Sequence, residues 1–139
     1  MLIDTNTEFG ARLSQRLQKE LVIWLITVGA DQAPHPRPVW FLWEGETFLI
    51  YSQPDTHKLR HIARNPNVAL HLNSDEYGGD VAVFAGQARA DPHAPPVDPV
   101  PAYLDKYREA IADLGMTPEG FAQSYSVPIR VTPSRVRGF

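Results

Sequence analysis

The sequence predicts an α+β domain: a six-stranded antiparallel β-barrel with helices packed on its outside. Three observations predict it. Six short apolar or alternating segments are separated by turn-forming stretches, and short antiparallel strands that must bury their faces close into a barrel. Amphipathic helical patterns flank and interrupt these segments. The 139 residues fit a single domain, 1–139, long enough to bury a core without disulfide or metal staples.

The elements follow in order. Thr5 to Glu20 reads as a helix: Thr5 and Glu8 have capping-box spacing, and Phe9, Leu13 and Leu17 form one stripe. The β-branched run Leu21 to Val28 reads as a buried strand. Gly29 to Gln32 is a turn, and Pro34 to Trp43 is a second strand, whose prolines at 34, 36 and 38 confine its early part to an edge or bulge. After the reversal at Glu44–Glu46, Thr47 to Ser52 completes a predicted β-meander. A short helix opens near Thr56 and ends before Pro66. Val68 to Ser74 and Val81 to Ala90 are the fourth and fifth strands, with Gly86 marking a bulge or a close backbone approach. A Pro-rich connector, Asp91 to Pro101, leads to a helix at Ala102–Leu114 with Gly115 as its C′ residue. Thr117 and Pro118 start another helix, and Val127 to Thr132 is the sixth strand.

Composition excludes several classes. A net charge of −3 and a pI near 5.9 argue against a nucleic-acid binder. With no cysteine, there is no disulfide, thiol catalysis or Cys-rich zinc site. The longest apolar run, Leu21 to Val28, is far too short to span a bilayer. The first residues show no signal-peptide pattern, so a cytoplasmic location is expected, away from membranes.

The stretch SQPDTHKLRHIARNPNV, Ser52 to Val68, carries an electrostatic oddity. The short helix opens with His57, Lys58 and Arg60, although a helix N-terminus already bears partial positive charge and disfavours cations. Unpaired backbone N–H groups, the hydroxyls of Ser52 and Thr56, and the Lys58 and Arg60 cations together read as a phosphate cradle. On local pattern alone, an alternative stands beside it: Thr56 simply caps the helix and the bases face water.

The surroundings favour the cradle. The run RPVWFLW…TFLIYS…THKLRHIARNPNVALHL resembles the split β-barrel family related to pyridoxamine 5′-phosphate oxidase, whose members bind FMN or a deazaflavin. Arg37 to Leu42 is similar to that family's cofactor-lining strand, Tyr51 and Ser52 to the end of its next strand, and Thr56, His57 and Lys58 to its phosphate loop. Asn65–Pro66 matches the closing pair, Phe84 to Ala90 the central strand, and Ile129 to Phe139 the C-terminal signature. The resemblance implies an FMN-binding split barrel and an oxidoreductase passing hydride to or from a small organic acceptor. Arg37, Val39, Trp40, Phe41, Tyr51, Ser52, Thr56, His57, Lys58 and Arg60 become the cofactor-binding candidates. Val39, Trp40 and Phe41 would wall the ring.

Trp40 and Phe41 replace the aliphatic pair of the oxidases, and the substrate-binding arginine and histidine near the oxidases' C-terminus have no match, which argues against a vitamin B6 oxidase. The bases are mostly arginine, with lysine only at 19, 58 and 106, as in actinobacterial members, many of which use coenzyme F420. The resemblance therefore implies F420, with FMN as the alternative. It also implies a homodimer with cofactor sites between protomers, with Tyr77, Tyr103 and Arg135–Phe139 as candidate partner contacts. The competing function is a non-catalytic binder or carrier of a flavin, deazaflavin or haem-like ligand. No protein nucleophile, triad or paired-carboxylate motif is present, as expected where a cofactor carries the hydride.

The remaining residues have simpler readings. His57 and His61 stand four apart but lack a third ligand of suitable spacing, so no metal site is predicted. His71 looks either into a cofactor cleft or into solvent, and His35 reads as an exposed loop residue. Trp24, Trp40, Trp43 and Phe84 read as core.

Overall fold

A computed structural model describes residues 1–139 and contains four helices and seven strands. The helices are α1 (Glu8–Lys19), α2 (His57–Arg64), α3 (Pro101–Asp113) and α4 (Pro118–Ser124). The strands are β1 (Ile23–Val28), β2 (Pro34–Val39), β3 (Leu42–Glu44), β4 (Thr47–Ser52), β5 (Asn67–His71), β6 (Ala82–Ala90) and β7 (Val127–Gly138). The α+β class stands, but the strand count rises from six to seven because the predicted Pro34–Trp43 strand breaks at Trp40–Phe41.

The sheet is antiparallel with order β2-β1-β5-β6-β7-β4-β3. The predicted meander is therefore corrected: β2 and β3, adjacent in sequence, occupy opposite edges. Two residues separate them, so the sheet curls until its ends meet at the Trp40–Phe41 break. The break is held from outside the barrel. The Tyr107 hydroxyl of α3 accepts from the Phe41 N–H at 2.8 Å and lies 3.0 Å from the Phe41 carbonyl and 2.7 Å from the Leu21 carbonyl. Lys106 Nζ donates to the same Phe41 carbonyl at 2.9 Å and sits 3.6 Å above the Phe41 ring. Burial pushes the Lys106 ammonium down to about 8.

β2 is an edge strand, as its prolines require. Pro34, Pro36 and Pro38 oppose Val28, Ile26 and Trp24, while His35, Arg37 and Val39 oppose Thr27, Leu25 and Ile23. Prolines spaced by two all place their missing donors on the free edge, and the ladder to β1 survives.

Two cores result. The barrel interior takes Ile23, Leu25, Phe48, Ile50, Leu70 and Phe84, with Leu13 and Leu17 of α1 and Ile62 of α2 plugging it. The second core lies between the sheet's outer face and α3–α4, and joins Leu42, Leu49 and Tyr51 to Tyr103, Tyr107, Ile111 and Phe121. β4 is buried on both faces, which explains its continuous apolar run: Phe48 and Ile50 point inward, Leu49 and Tyr51 outward.

Boundaries follow local chemistry. α1 is capped by Thr7, whose hydroxyl accepts from Gly10 N at 3.0 Å, so the predicted Thr5–Glu8 capping box is replaced by a cap two residues on. Gly115, at φ +74, closes α3 as expected: its N–H reaches Ala112 O and the Met116 N–H reaches Ile111 O, a Schellman motif. Thr117 caps α4 through Gly120 N at 3.0 Å. The expected irregularity at Gly86 is present. The β6–β7 register shifts between Ala85 and Gly86, and a Cβ there would lie 2.4 Å from the Thr132 carbonyl oxygen. β7 runs on to Gly138, six residues past the predicted end at Thr132. No helix is long and apolar enough to cross a membrane.

Candidate functional site

Period two places His35, Arg37 and Val39 on the same face of the β1–β2 ladder as Thr27. The first turn of α2 comes up against this face from the end of β4. Between them lies a polar cavity of about 540 Å³, lined by Thr27, His35, Arg37, Pro38, Val39, Thr56, His57, Lys58 and His61. Pro38, Val39 and Lys58 also line a second cavity of about 300 Å³, completed by Trp40, Tyr51, Gln53, Tyr103, Leu114, Phe121 and Tyr125. A cation-rich compartment and an aromatic compartment thus share one wall.

The start of α2 is open. Asp55 takes positive φ, +62, and delivers Thr56 as N-cap in extended geometry, but the Thr56 side chain makes no capping bond. Its hydroxyl instead lies 3.1 Å from Ser52 Oγ, and Ser52 donates to the Gln53 carbonyl at 2.7 Å. The first-turn N–H groups therefore lack a side-chain partner, and no acidic residue stands in that turn. Lys58 is half-buried there, and its ammonium is held below the usual lysine range, first by burial and then by the positive Arg37. A cation kept at an uncapped, electropositive helix start without a carboxylate suits an anionic guest.

The aromatic compartment is ordered by stacking. Trp40 lies against Tyr107 at 4.6 Å and 8°, and against Phe121 at 5.4 Å and 15°. Phe121 in turn stacks on Tyr125 at 4.3 Å. Tyr51 donates its hydroxyl to the Pro95 carbonyl at 2.8 Å, and burial pushes its phenol up to about 12. Burial raises the Tyr103 phenol as well, so both rings stay neutral.

The ten sequence candidates divide as follows. Arg37, Val39, Thr56, His57 and Lys58 line the polar compartment, and Val39, Trp40, Tyr51 and Lys58 the aromatic one. Phe41 is turned into the barrel core, edge-on to Phe48, and lines neither. Ser52 is buried behind Thr56. Arg60 folds back, donating to the Asp55 carbonyl and to His57 Nδ1, both at 2.9 Å. Of the alternative reading, Thr56 is the N-cap residue but makes no side-chain cap bond, and His57 and Arg60 are exposed while Lys58 is half-buried.

Other readings change too. His35 is a half-buried strand residue with its ring centroid 4.6 Å from that of His61, not a loop residue. Its even spacing from Arg37 was the available signal. His71 stacks on Trp24 at 6.1 Å on the outer sheet face. Trp24, Trp40 and Trp43 are half-buried, and Phe84 is fully buried. Tyr103, a candidate partner contact, is buried within its own chain, whereas Tyr77 is 91% exposed. The α3–α4 wall had no sequence signal tying it to Trp40, because the Tyr103–Tyr107 stripe reads as ordinary helix core.

Tyr107→Phe tests the support of the break. Removing the hydroxyl leaves the buried Phe41 N–H unpaired, so stability is expected to fall by about 1–3 kcal/mol. Urea unfolding measures this, and near-UV circular dichroism follows Trp40, the stacking partner of Tyr107. A change under about 0.5 kcal/mol with an unaltered spectrum would show the hydroxyl to be dispensable.

Residues 9–139 match the family model described as pyridoxamine 5′-phosphate oxidase. No curated protein sequence matches the chain. Similar solved structures include a conserved hypothetical protein from Mycobacterium tuberculosis, with TM-score 0.70 and 20% identity over 94% of this chain and 82% of that one. HutZ, the haem storage protein from Vibrio cholerae, aligns with TM-score 0.67 and 15% identity over 95% of each chain. An F420 reductase aligns with TM-score 0.60 and 22% identity over 89% of this chain and 94% of that one. At these identities the likeness is one of fold.

Proposed function

Because the chain belongs to the pyridoxamine 5′-phosphate oxidase family, we propose that it is an oxidoreductase using coenzyme F420, or FMN in its place, to transfer hydride to or from a small organic acceptor. One observation carries the reading: the cation-rich and aromatic compartments adjoin and share Pro38, Val39 and Lys58. That shape suits a ligand with a phosphate at one end and a planar ring at the other. Arg37, Lys58 and the open first turn of α2 would hold the phosphate. Val39, Trp40 and Tyr51 would hold the ring, with Phe121 and Tyr125 excluding water. When bound, such a cofactor supplies the hydride chemistry, and the protein binds, orients and shields it.

We propose that a second copy of the chain packs on the outer sheet face. There Trp24, Ile26 and Val28 of β1, Ala69 of β5, and Val83 and Ala85 of β6 form one apolar, half-buried face. A second functional reading, a non-catalytic carrier of a flavin, deazaflavin or haem-like ligand, draws on two observations. Lys58 is the one cationic side chain among the residues lining the aromatic compartment, and the fold is shared with a haem storage protein.

Titrating F420, FMN, riboflavin and haem under identical conditions tests these readings. F420 or FMN is expected to bind, with riboflavin, which lacks the phosphate, at least about tenfold weaker than FMN. Reduced cofactor should then turn over quinone or enone acceptors. Binding without turnover on a broad panel selects the carrier, and equal affinity for FMN and riboflavin overturns the phosphate assignment.

A further inference from the structure

The polar compartment holds three histidines as well as its cations. His35 of β2 and His61 of α2 have ring centroids 4.6 Å apart, and His57 stands 6.3 Å from His61. All three line the same cavity as Arg37 and Lys58, and no carboxylate lines it. The groups facing them come from every neighbouring element. The β1–β2 turn offers Asp31, 3.4 Å from His35 Nε2, and β1 offers the Thr27 hydroxyl, 2.8 Å from His61 Nδ1. β2 contributes Arg37, and α2 contributes Lys58 and Arg60.

The histidines are not equivalent. Arg60 donates to His57 Nδ1, so that nitrogen must remain an acceptor while the contact lasts. His61 faces a hydroxyl, which can donate to a neutral ring or accept from a charged one. His35 Nε2 faces the Asp31 carboxylate, an acceptor for a proton on that nitrogen. His35 and His61 are therefore the two that can take up protons without breaking a contact. In the empty cavity they oppose each other: burial, then the neighbouring His35 and His57, hold the His61 ring below the ordinary histidine value. A doubly charged anion between them and Arg37 reverses that repulsion.

We propose that the polar compartment binds a doubly charged oxyanion with uptake of protons by His35 and His61, so that its occupancy is controlled by pH. The inference rests on the reading that this compartment takes the cofactor's anionic group, and adds a control to that site. A bound anion raises the proton affinity of both rings. Linkage then requires the anion to bind most tightly below the histidine range, with affinity falling as pH rises through it.

Sulfate is the probe, because its charge is constant across this range. Calorimetric titration of the whole protein is expected to show sulfate affinity falling at least about tenfold from about pH 5.5 to about pH 7.5. Paired buffers of different ionisation enthalpy should show net proton uptake on binding. The double variant His35→Gln/His61→Gln should reduce the pH dependence to less than about threefold, and the two-buffer measurement on the parent protein decides the matter if that variant fails to fold. A flat profile, an absence of saturable sulfate binding, or an undiminished slope in a folded double variant overturns the proposal. FMN and F420 titrated at about pH 6 separate it from the functional reading. Proton-linked sulfate binding without cofactor binding sinks the function alone, and cofactor binding with a flat sulfate profile sinks the histidine proposal alone.

Discussion

Phe84→Ala is expected to lower the unfolding free energy by about 3–5 kcal/mol, as deletion of a large fully buried ring does. Phe84 lies in β6, fully buried, with its ring edge-on to Phe48 at 5.0 Å and 6.1 Å from Trp43. Its strand pairs with both β5 and β7, so backbone on either side resists collapse into the void. For a chain of this size the melting temperature should drop by roughly 10 °C. Urea denaturation should show a lower midpoint with an unchanged slope, because the folded state stays compact. A loss below about 1 kcal/mol would mean that Phe48 and Trp43 refill the space and that the barrel centre is far softer than its burial implies.

Lys58→Ala should have the largest effect on binding. Loss of one charge-assisted hydrogen bond is expected to weaken FMN or F420 by about 1.5–3 kcal/mol, roughly tenfold to a hundredfold. Stability of the empty protein should hold or rise slightly. The substitution removes a half-buried ammonium that burial and Arg37 both disfavour, from a helix start with no acidic residue. The sign with pH is fixed by the same shift. With its folded value depressed, Lys58 costs stability while charged, and that cost fades as pH rises through the depressed value toward the unfolded one. The stability difference between parent and variant should therefore narrow in alkaline buffer. Unchanged affinity in a normally folded variant would remove Lys58 from the phosphate site.

What could be read from the sequence was governed by short-range physics. The β-branched run of β1, the proline spacing in β2, the αL glycine after α3 and the bulge at Gly86 each follow from residues within a few positions, and each is present. The strand break at Trp40–Phe41 is different. Its cause is the Tyr107 hydroxyl, 66 residues away, and nothing in PVWFLW betrays it. The sheet order was hidden for the same reason, since β2 and β3 look like one strand until the barrel closes. At the site, the cationic side was legible because Thr56, His57 and Lys58 are contiguous, with Arg37 and Val39 in alternation on one strand face. The aromatic roof was not, because Phe121 and Tyr125 meet Trp40 only through tertiary packing. The cap at Thr7 rather than Thr5 shows the ordinary slack of helix ends, where two threonines compete for one turn.

The position of β7 sets the order in which the protein can be made. It is the last of the seven strands in chain order, yet it lies between β6 and β4. Until residues 127–138 emerge, β2-β1-β5-β6 and β4-β3 are two separate ribbons, each with a bare edge ready to pair with another chain. Translation at roughly 5–20 residues per second leaves those edges open for seconds. A nascent chain stalled before Val127 should therefore need a holding chaperone, and its release should coincide with insertion of the final strand.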